Sequence, residues 1–419
     1  MAVNQEDLEI KRLFSEDGKE PGDQLVKLAY LLPRSPEELR LKRLGFYGLA
    51  EGVSAFASGC ADYAHSLLAG WYAHEEYVLA EDGQAGSDSV RAPEAAGLWR
   101  RVYEHNERLR SVITTSLYQA SSLSGGLSIV QDGPHGDIRL NGHQTFGLDV
   151  LKADELLVIV HGDGTAALIP KETEGVKLVF AGHDASGGSS KSTAGSVLVV
   201  YENVIIPQER LLVTRAANRL QQLLGHPLIK SLAGYQWASR QLDAIELLTG
   251  TAFALAEQTG LHAELHIQGE LGELIQGVET LKALLHAAEI GAERSPAGVL
   301  LPDLTPLLAA RKAGIQYYGK AVHVLQRIGS AIFLTLPNVL ASAREDEGQP
   351  SLLQLAWQLA GSSEAVMTKL HEQHAFGDPL AQSQELYRHY PVHLLRSRYR
   401  EFWQAVKPLE SDNESEVRR

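Results

Sequence analysis

Three stretches of the chain carry residues of roughly the right type and spacing for known chemistries. Residues 187–193, GGSSKST, combine glycine, lysine and hydroxyls as a phosphate-binding loop does. That motif needs glycine directly before lysine, so that backbone amides can wrap a phosphate. Here Ser190 precedes Lys191, and the stretch lies between strand-like segments rather than ahead of a helix. A flexible loop, or one that covers a cofactor, is the better reading. His262 and His266 lie four apart with Glu264 between them, a spacing that lets two metal ligands share a helix face. The glutamate is at the wrong offset for a zinc protease helix and no third ligand follows, so no metal is expected. Cys60 is the only cysteine; it excludes a disulfide within the chain and is expected to be a small semi-buried residue. Neither a GxSxG elbow nor a GxGxxG after a strand is present, which removes the commonest hydrolase and dinucleotide-binding readings.

The elements that must position any site change character twice along the chain. From Ser35 to about Tyr118 the pattern is helical, through ELRLKRLGFYGLAEGVSAF and GLWRRVYEHNERLRSVITT. Between about Leu123 and Val213 short apolar runs alternate with Gly, Asp and Asn, predicting an antiparallel sheet or small barrel. The NG at 141–142 and the DG at 163–164 both predict hairpins. Beyond Pro207 long amphipathic segments return. Ile267, Leu271, Leu274, Ile275, Val278, Leu281, Leu284 and Leu285 keep one helical face, and similar faces recur over 239–258, 304–330 and 352–374. The expected fold class is α+β, with an N-terminal helical domain (1–120), a central β domain (121–213), a C-terminal helical bundle (214–405) and a disordered tail (406–419). Stripes this long predict subunit contacts, hence a homodimer or homotetramer.

Composition bounds the partners. With 44% apolar and 21% charged residues the chain reads as a soluble globular protein. Its net charge of −14 and the lack of a basic stripe argue against nucleic acid. An acidic N-terminus without a signal-like apolar run, and no apolar stretch of about 18 residues, predict a cytoplasmic protein without membrane spans.

Four segments carry a resemblance to a known family. They are GDIRLNGHQTFGLDVLKADELLVIV at 136–160, SSKSTAGSVLVVYENVIIPQERLLV at 189–213, IQGELGELI at 267–275 and LAWQLAGSS at 355–363. Their order and spacing resemble the large component of 4-hydroxyphenylacetate 3-monooxygenase and its relatives. Gly142, Ala153, Asp154, Glu155, Pro207, Glu209 and Arg210 fit without a gap. The resemblance implies an acyl-CoA dehydrogenase-like fold with flavin between sheet and bundle, where water is kept from reactive oxygen chemistry. It implies a two-component flavin monooxygenase: O2 and reduced FAD (FMN as the alternative) from a separate NAD(P)H:flavin reductase, acting on a small aromatic substrate, free or held by a carrier or peptide.

The resemblance also implies site residues, and here the chain departs from the pattern. Where the family has Gly-Arg-x-Pro-Asp-Tyr, this chain has Ser58, Gly59, Cys60, Ala61, Asp62 and Tyr63. Where the family has Thr-His, it has Thr114 and Thr115, followed by Ser116. Tyr63 and Thr115 are the expected catalytic residues, with Gly59, Asp62 and Ser116 at the substrate. An arginine and a histidine are missing, so help in ionising a phenol is lost, and a neutral electron-rich ring such as indole becomes the expected substrate. Phe146, Gly147, Leu148, Ser189, Ser190, Lys191 and Gln268 are the expected cofactor contacts; Leu148 replaces a family Thr and Lys191 an Arg. At the C-terminal match Met367 and His371 replace an Arg and a Tyr. Each has a plainer reading too: Tyr63 as packed aromatic, Thr115 bonded to its own helix, Asp62 and Gln268 as surface polarity, 189–191 as a solvated loop. Two other functions stay open, an acyl-CoA dehydrogenase-like oxidase or N-hydroxylase, and a non-catalytic subunit that kept the fold.

Overall fold

The computed structural model describes residues 28, 31–51, 112–114, 126–132, 137–151, 153–180, 196–296, 298–342, 351–374, 379–398 and 400. A first helix, α1 (Pro36–Glu51), is followed by strands β1 (Val112–Thr114), β2 (Ser128–Asp132), β3 (Asp137–Gly147), β4 (Glu155–Val160), β5 (Thr165–Pro170), β6 (Val176–Phe180), β7 (Ser196–Ile206) and β8 (Leu211–Val213). They form two four-stranded sheets, ordered β1-β4-β5-β8 and β2-β3-β7-β6. The second is antiparallel, whereas β1 joins β4 in parallel at the edge of the first. The helical pattern read through GLWRRVYEHNERLRSVITT therefore ends in a strand. A β-branched Val-Ile-Thr run favours a pleated, half-buried position over a helix.

The sheets share one core. Leu156, Val158, Val160, Ala167 and Ile169 of the first meet Ile138, Leu140, Phe146, Val197, Val199 and Tyr201 of the second. All six residues of β4 are buried, so the first sheet is covered on both faces. That explains why ELLVIV is a continuous apolar run rather than an alternating one.

The two turn signals have different outcomes. Asp163-Gly164 closes the β4–β5 hairpin, with Gly164 N–H donating to the Val160 carbonyl at 2.9 Å. Gly164 has φ +70°, and a Cβ there would overlap the Ala217 backbone nitrogen. Gly164→Ala is expected to cost about 2–3 kcal/mol, read as a lower urea midpoint; an unchanged midpoint would show that the turn has slack. Asn141-Gly142, by contrast, is not a hairpin but lies inside β3, opposite a bulge in β7. Register moves from Leu140↔Val204 to Gly142↔Tyr201, which adds one residue on β7. Asn203 absorbs it at φ +54°, and its N–H donates to Asn141 Oδ1 at 2.8 Å. Because a strand has period two, the extra residue switches the inward set from Val197, Val199 and Tyr201 to Val204 and Ile206.

After α2 (Ala217–Gly225) comes the bundle: α3 (Pro227–Gln258), α4 (Leu265–Ile290), α5 (Leu304–Ser342), α6 (Leu352–Ala360), α7 (Ser363–His374), α8 (Pro379–His389) and α9 (Val392–Arg398). A two-stranded ribbon, β9 (Glu293–Arg294) and β10 (Leu300–Leu301), joins α4 to α5. His226 Nδ1 accepts from Leu228 N–H to start α3, with Pro227 in the first turn. Ser351 and Gln354 form a reciprocal capping box on α6. The stripe read on α4 faces the core through Ile267, Leu271, Leu274, Val278, Leu281 and Leu285, while Ile275 is exposed. No helix among the described residues is long and apolar enough to cross a membrane.

Candidate functional site

Two of the expected cofactor residues, Phe146 and Gly147, lie at one end of the second sheet. Phe146 pairs with Val197, and Gly147 with Ser196, the first residue of β7. Phe180, the last residue of β6, also pairs with Val197. The connection from β6 to β7, which carries Ser189, Ser190 and Lys191, therefore leaves and re-enters beside Gly147 and the 3₁₀ turn Leu148–Leu151. Phe146 itself is 1% exposed and points between the sheets, so its ring fills the core. Gln268 is exposed, and its amide donates to the His262 carbonyl at 3.0 Å, closing the turn before α4. Residues 181–195 lie outside the described residues, as do Gly59, Cys60, Asp62, Tyr63, Thr115, Ser116 and the tail 406–419. His262 and His266 are exposed. Among the described residues no group of three or more His, Cys, Asp or Glu is placed to hold a metal ion.

The segments that carry the resemblance have structural reasons to be as they are. Glu155, at the start of β4, pairs with Arg210, just before β8, at 3.1 Å, and the carboxylate side chain is only 6% exposed. Two separate segments, 136–160 and 189–213, are thus one ion pair. In 267–275, Leu271 and Leu274 enter the core while Glu270 and Glu273 reach α5 at Arg327 and Lys320. In 355–363, Trp357 meets Phe333 edge-to-face at 5.7 Å and its ring lies over Gly361, where a Cβ would clash. Ser362 Oγ then accepts from the Ala365 N–H at 3.0 Å at the start of α7.

A polar seam inside the bundle escaped the sequence reading. Arg240 on α3 pairs with Glu372 on α7 at 2.7 Å, with side chains 6% and 2% exposed. Gln241 Nε2 donates to the same carboxylate at 3.3 Å. Burial, then the Glu372 charge, pushes the Tyr318 hydroxyl far above its ordinary pKa, so it stays neutral. Nearby, Glu385 on α8 accepts from Lys230 and Arg311. Burial alone would raise that carboxyl, but the two cations hold it below the usual range. Arg311 also lies 5.9 Å from the Trp237 ring centroid. Lys42 on α1 is wholly buried, and burial lowers its pKa to about 7. The seam was legible only as polar residues at i, i+4 on α3, a spacing that surface helices share.

Comparison with known proteins follows the same lines. Residues 229–350 and 345–404 match the family described as 4-hydroxyphenylacetate 3-hydroxylase C terminal. A probable 4-hydroxyphenylacetate 3-monooxygenase of Bacillus subtilis (strain 168) is 25% identical over 88% of this chain and 83% of its own. The crystal structure of the HpaB oxygenase component of 4-hydroxyphenylacetate 3-monooxygenase, complexed with FAD and 4-hydroxyphenylacetate, superposes with a TM-score of 0.71. It is 21% identical and covers 90% of this chain and 84% of that one. Butyryl-CoA dehydrogenase from Megasphaera elsdenii gives 0.53 at 15% identity, over 94% and 99%. From its quoted segments to its three-dimensional frame, the chain resembles the oxygenase components of 4-hydroxyphenylacetate 3-monooxygenase and has the acyl-CoA dehydrogenase-like fold.

Proposed function

We propose that this chain is the oxygenase component of a two-component flavin monooxygenase that hydroxylates a small aromatic substrate. The observation that carries the reading is the likeness to oxygenase components over nearly the whole chain, on a frame that superposes on a relative complexed with FAD. The residues present suit that cofactor. Gly147 and the facing ends of β6 and β7 bring backbone to one sheet end, and α3 holds a buried amide, Gln236, with no hydrogen-bond partner for either polar atom among the described residues. Bound reduced FAD supplies the electrons that activate O2 for insertion of one oxygen atom into the ring. The chain's own task is to bind, orient and exclude water, and two sheets sharing one core beside a packed bundle suit it.

Substrate preference follows from residues 59 and 115. With Gly59 and Thr115 in place of a cation and an imidazole, neither stabilises a phenolate nor takes its proton. Tyr63 and Thr115 hydrogen-bond a neutral ring, Gly59, Asp62 and Ser116 border it, and an electron-rich indole-like ring needs no ionisation to react. Exposed Val366, Leu370, Leu380, Tyr387, Leu394 and Leu395 on α7, α8 and α9 support assembly as a homodimer or homotetramer.

The purified chain alone should not oxidise NADH, because it has no dinucleotide fingerprint. With a flavin reductase, FAD and ¹⁸O2 it should place one labelled oxygen atom on an indole substrate. Rapid NADH oxidation without reductase, or product labelled from water, would sink the reading.

A further inference from the structure

From Ser231 to Leu242 every residue of α3 is buried. Tyr235, Ala238 and Leu242 face the bundle core. Ile229, Leu232, Ala233 and Gln236, spaced by three and four, share a different face. Four of the polar side chains near Gln236 on α3 are bonded. Ser231 donates to the Pro302 carbonyl at 2.5 Å, Ser239 to the Tyr235 carbonyl at 2.8 Å, Arg240 pairs with Glu372, and Gln241 donates to Glu372. Gln236 is 1% exposed, and neither Oε1 nor Nε2 has a hydrogen-bond partner among the described residues. Leaving a buried amide unmade is destabilising, whereas an apolar side chain of the same shape would fit the site without that penalty. A glutamine kept there is explained by a partner that arrives with a ligand.

The shape of the amide says what that partner is. A carboxamide presents a donor and an acceptor side by side in one plane. Its complement is a neutral edge with N–H next to C=O. A carboxylate, acceptor only, would set oxygen against Oε1 and bury a charge, and a lone hydroxyl would satisfy one atom and orphan the other.

We propose that Gln236 recognises a bound molecule by pairing in-plane with a neutral N–H/C=O edge on this face of α3. Two sources carry such an edge, the imide side of the flavin ring and an amide or lactam on the aromatic substrate. That choice of sources rests on the oxygenase reading above, and it deepens that reading by naming a residue for ligand recognition.

The test compares the full-length wild type with Gln236→Leu and Gln236→Asn. FAD and N3-methyl-FAD are titrated by flavin fluorescence, and oxindole and indole by calorimetry. Without ligand, Gln236→Leu should melt at the wild-type temperature or higher, since it removes an unmet amide. It should weaken either FAD or oxindole by about tenfold, the loss of roughly two neutral hydrogen bonds, with Gln236→Asn in between. Weakened FAD, with wild type binding N3-methyl-FAD as poorly as the variant binds FAD, assigns the edge to the cofactor. Weakened oxindole with unchanged indole assigns it to the substrate. Unchanged affinity for both, a wild type that binds neither, or a variant that melts lower while affinities hold, overturns the inference. Wild-type hydroxylation with affinities that ignore residue 236 defeats this inference alone. FAD binding that depends on Gln236 without any hydroxylation defeats the oxygenase reading alone.

Discussion

Replacing Glu372 with alanine is expected to destabilise the folded protein by about 3–5 kcal/mol, the usual cost of stripping one partner from a buried ion pair. Both side chains of the Arg240–Glu372 pair are almost fully enclosed, and Gln241 donates to the same carboxylate. The variant would leave the Arg240 guanidinium without that carboxylate between α3 and α7, and Gln241 without its acceptor. Removing both charges should be far milder. Arg240→Met with Glu372→Leu fills similar volume without a buried charge and should recover most of the loss. Urea unfolding of wild type, single and double variants checks this. A single-variant loss under about 1 kcal/mol, or a double variant no better than the single, would mean that water reaches the pair.

Restoring the missing cation and imidazole, as Gly59→Arg with Thr115→His, should raise turnover of 4-hydroxyphenylacetate by about 10²-fold or more, since positioned acid–base help contributes roughly 10²–10⁴-fold. The gain should appear in kcat, because proton removal matters most in the transition state. Turnover of an indole should not rise, and FAD affinity should hold. Tyr63→Phe in the parent should cut hydroxylated product and increase uncoupled peroxide without weakening FAD, since the proposed function assigns its hydroxyl to the substrate. A parent that already turns over 4-hydroxyphenylacetate efficiently, or a double variant with no gain, would show that ionisation is handled by other residues.

Several features of the fold were legible in the residues themselves. The α4 stripe works as read because a helical period fixes which residues share a face: Ile267, Leu271 and Leu274 enter the core together. Asp163-Gly164 closes its hairpin because the positive φ and the overlap at Ala217 leave room only for glycine. Asn141-Gly142 has the same local chemistry but lies opposite a bulge, since its partner, Asn203, is 62 residues away. A dipeptide reports a willingness for positive φ, not which long-range pairing will use it.

By itself the sequence determined the order of helical and strand-rich parts, and the family resemblance, because both live in periodicity and local residue type. It also determined the departures at Gly59 and Thr115. Only the tertiary structure decided that Glu155 and Arg210 are one ion pair, that the Phe146 ring lies in the sandwich core, and that Gln268 closes a turn. It alone decided that Gln236 is buried with no hydrogen-bond partner among the described residues while Arg240, four residues on, is paired. The physical reason is common to all of these. Whether a polar side chain meets solvent, an opposite charge or nothing depends on what packs over its face, and that neighbour comes from a distant part of the chain.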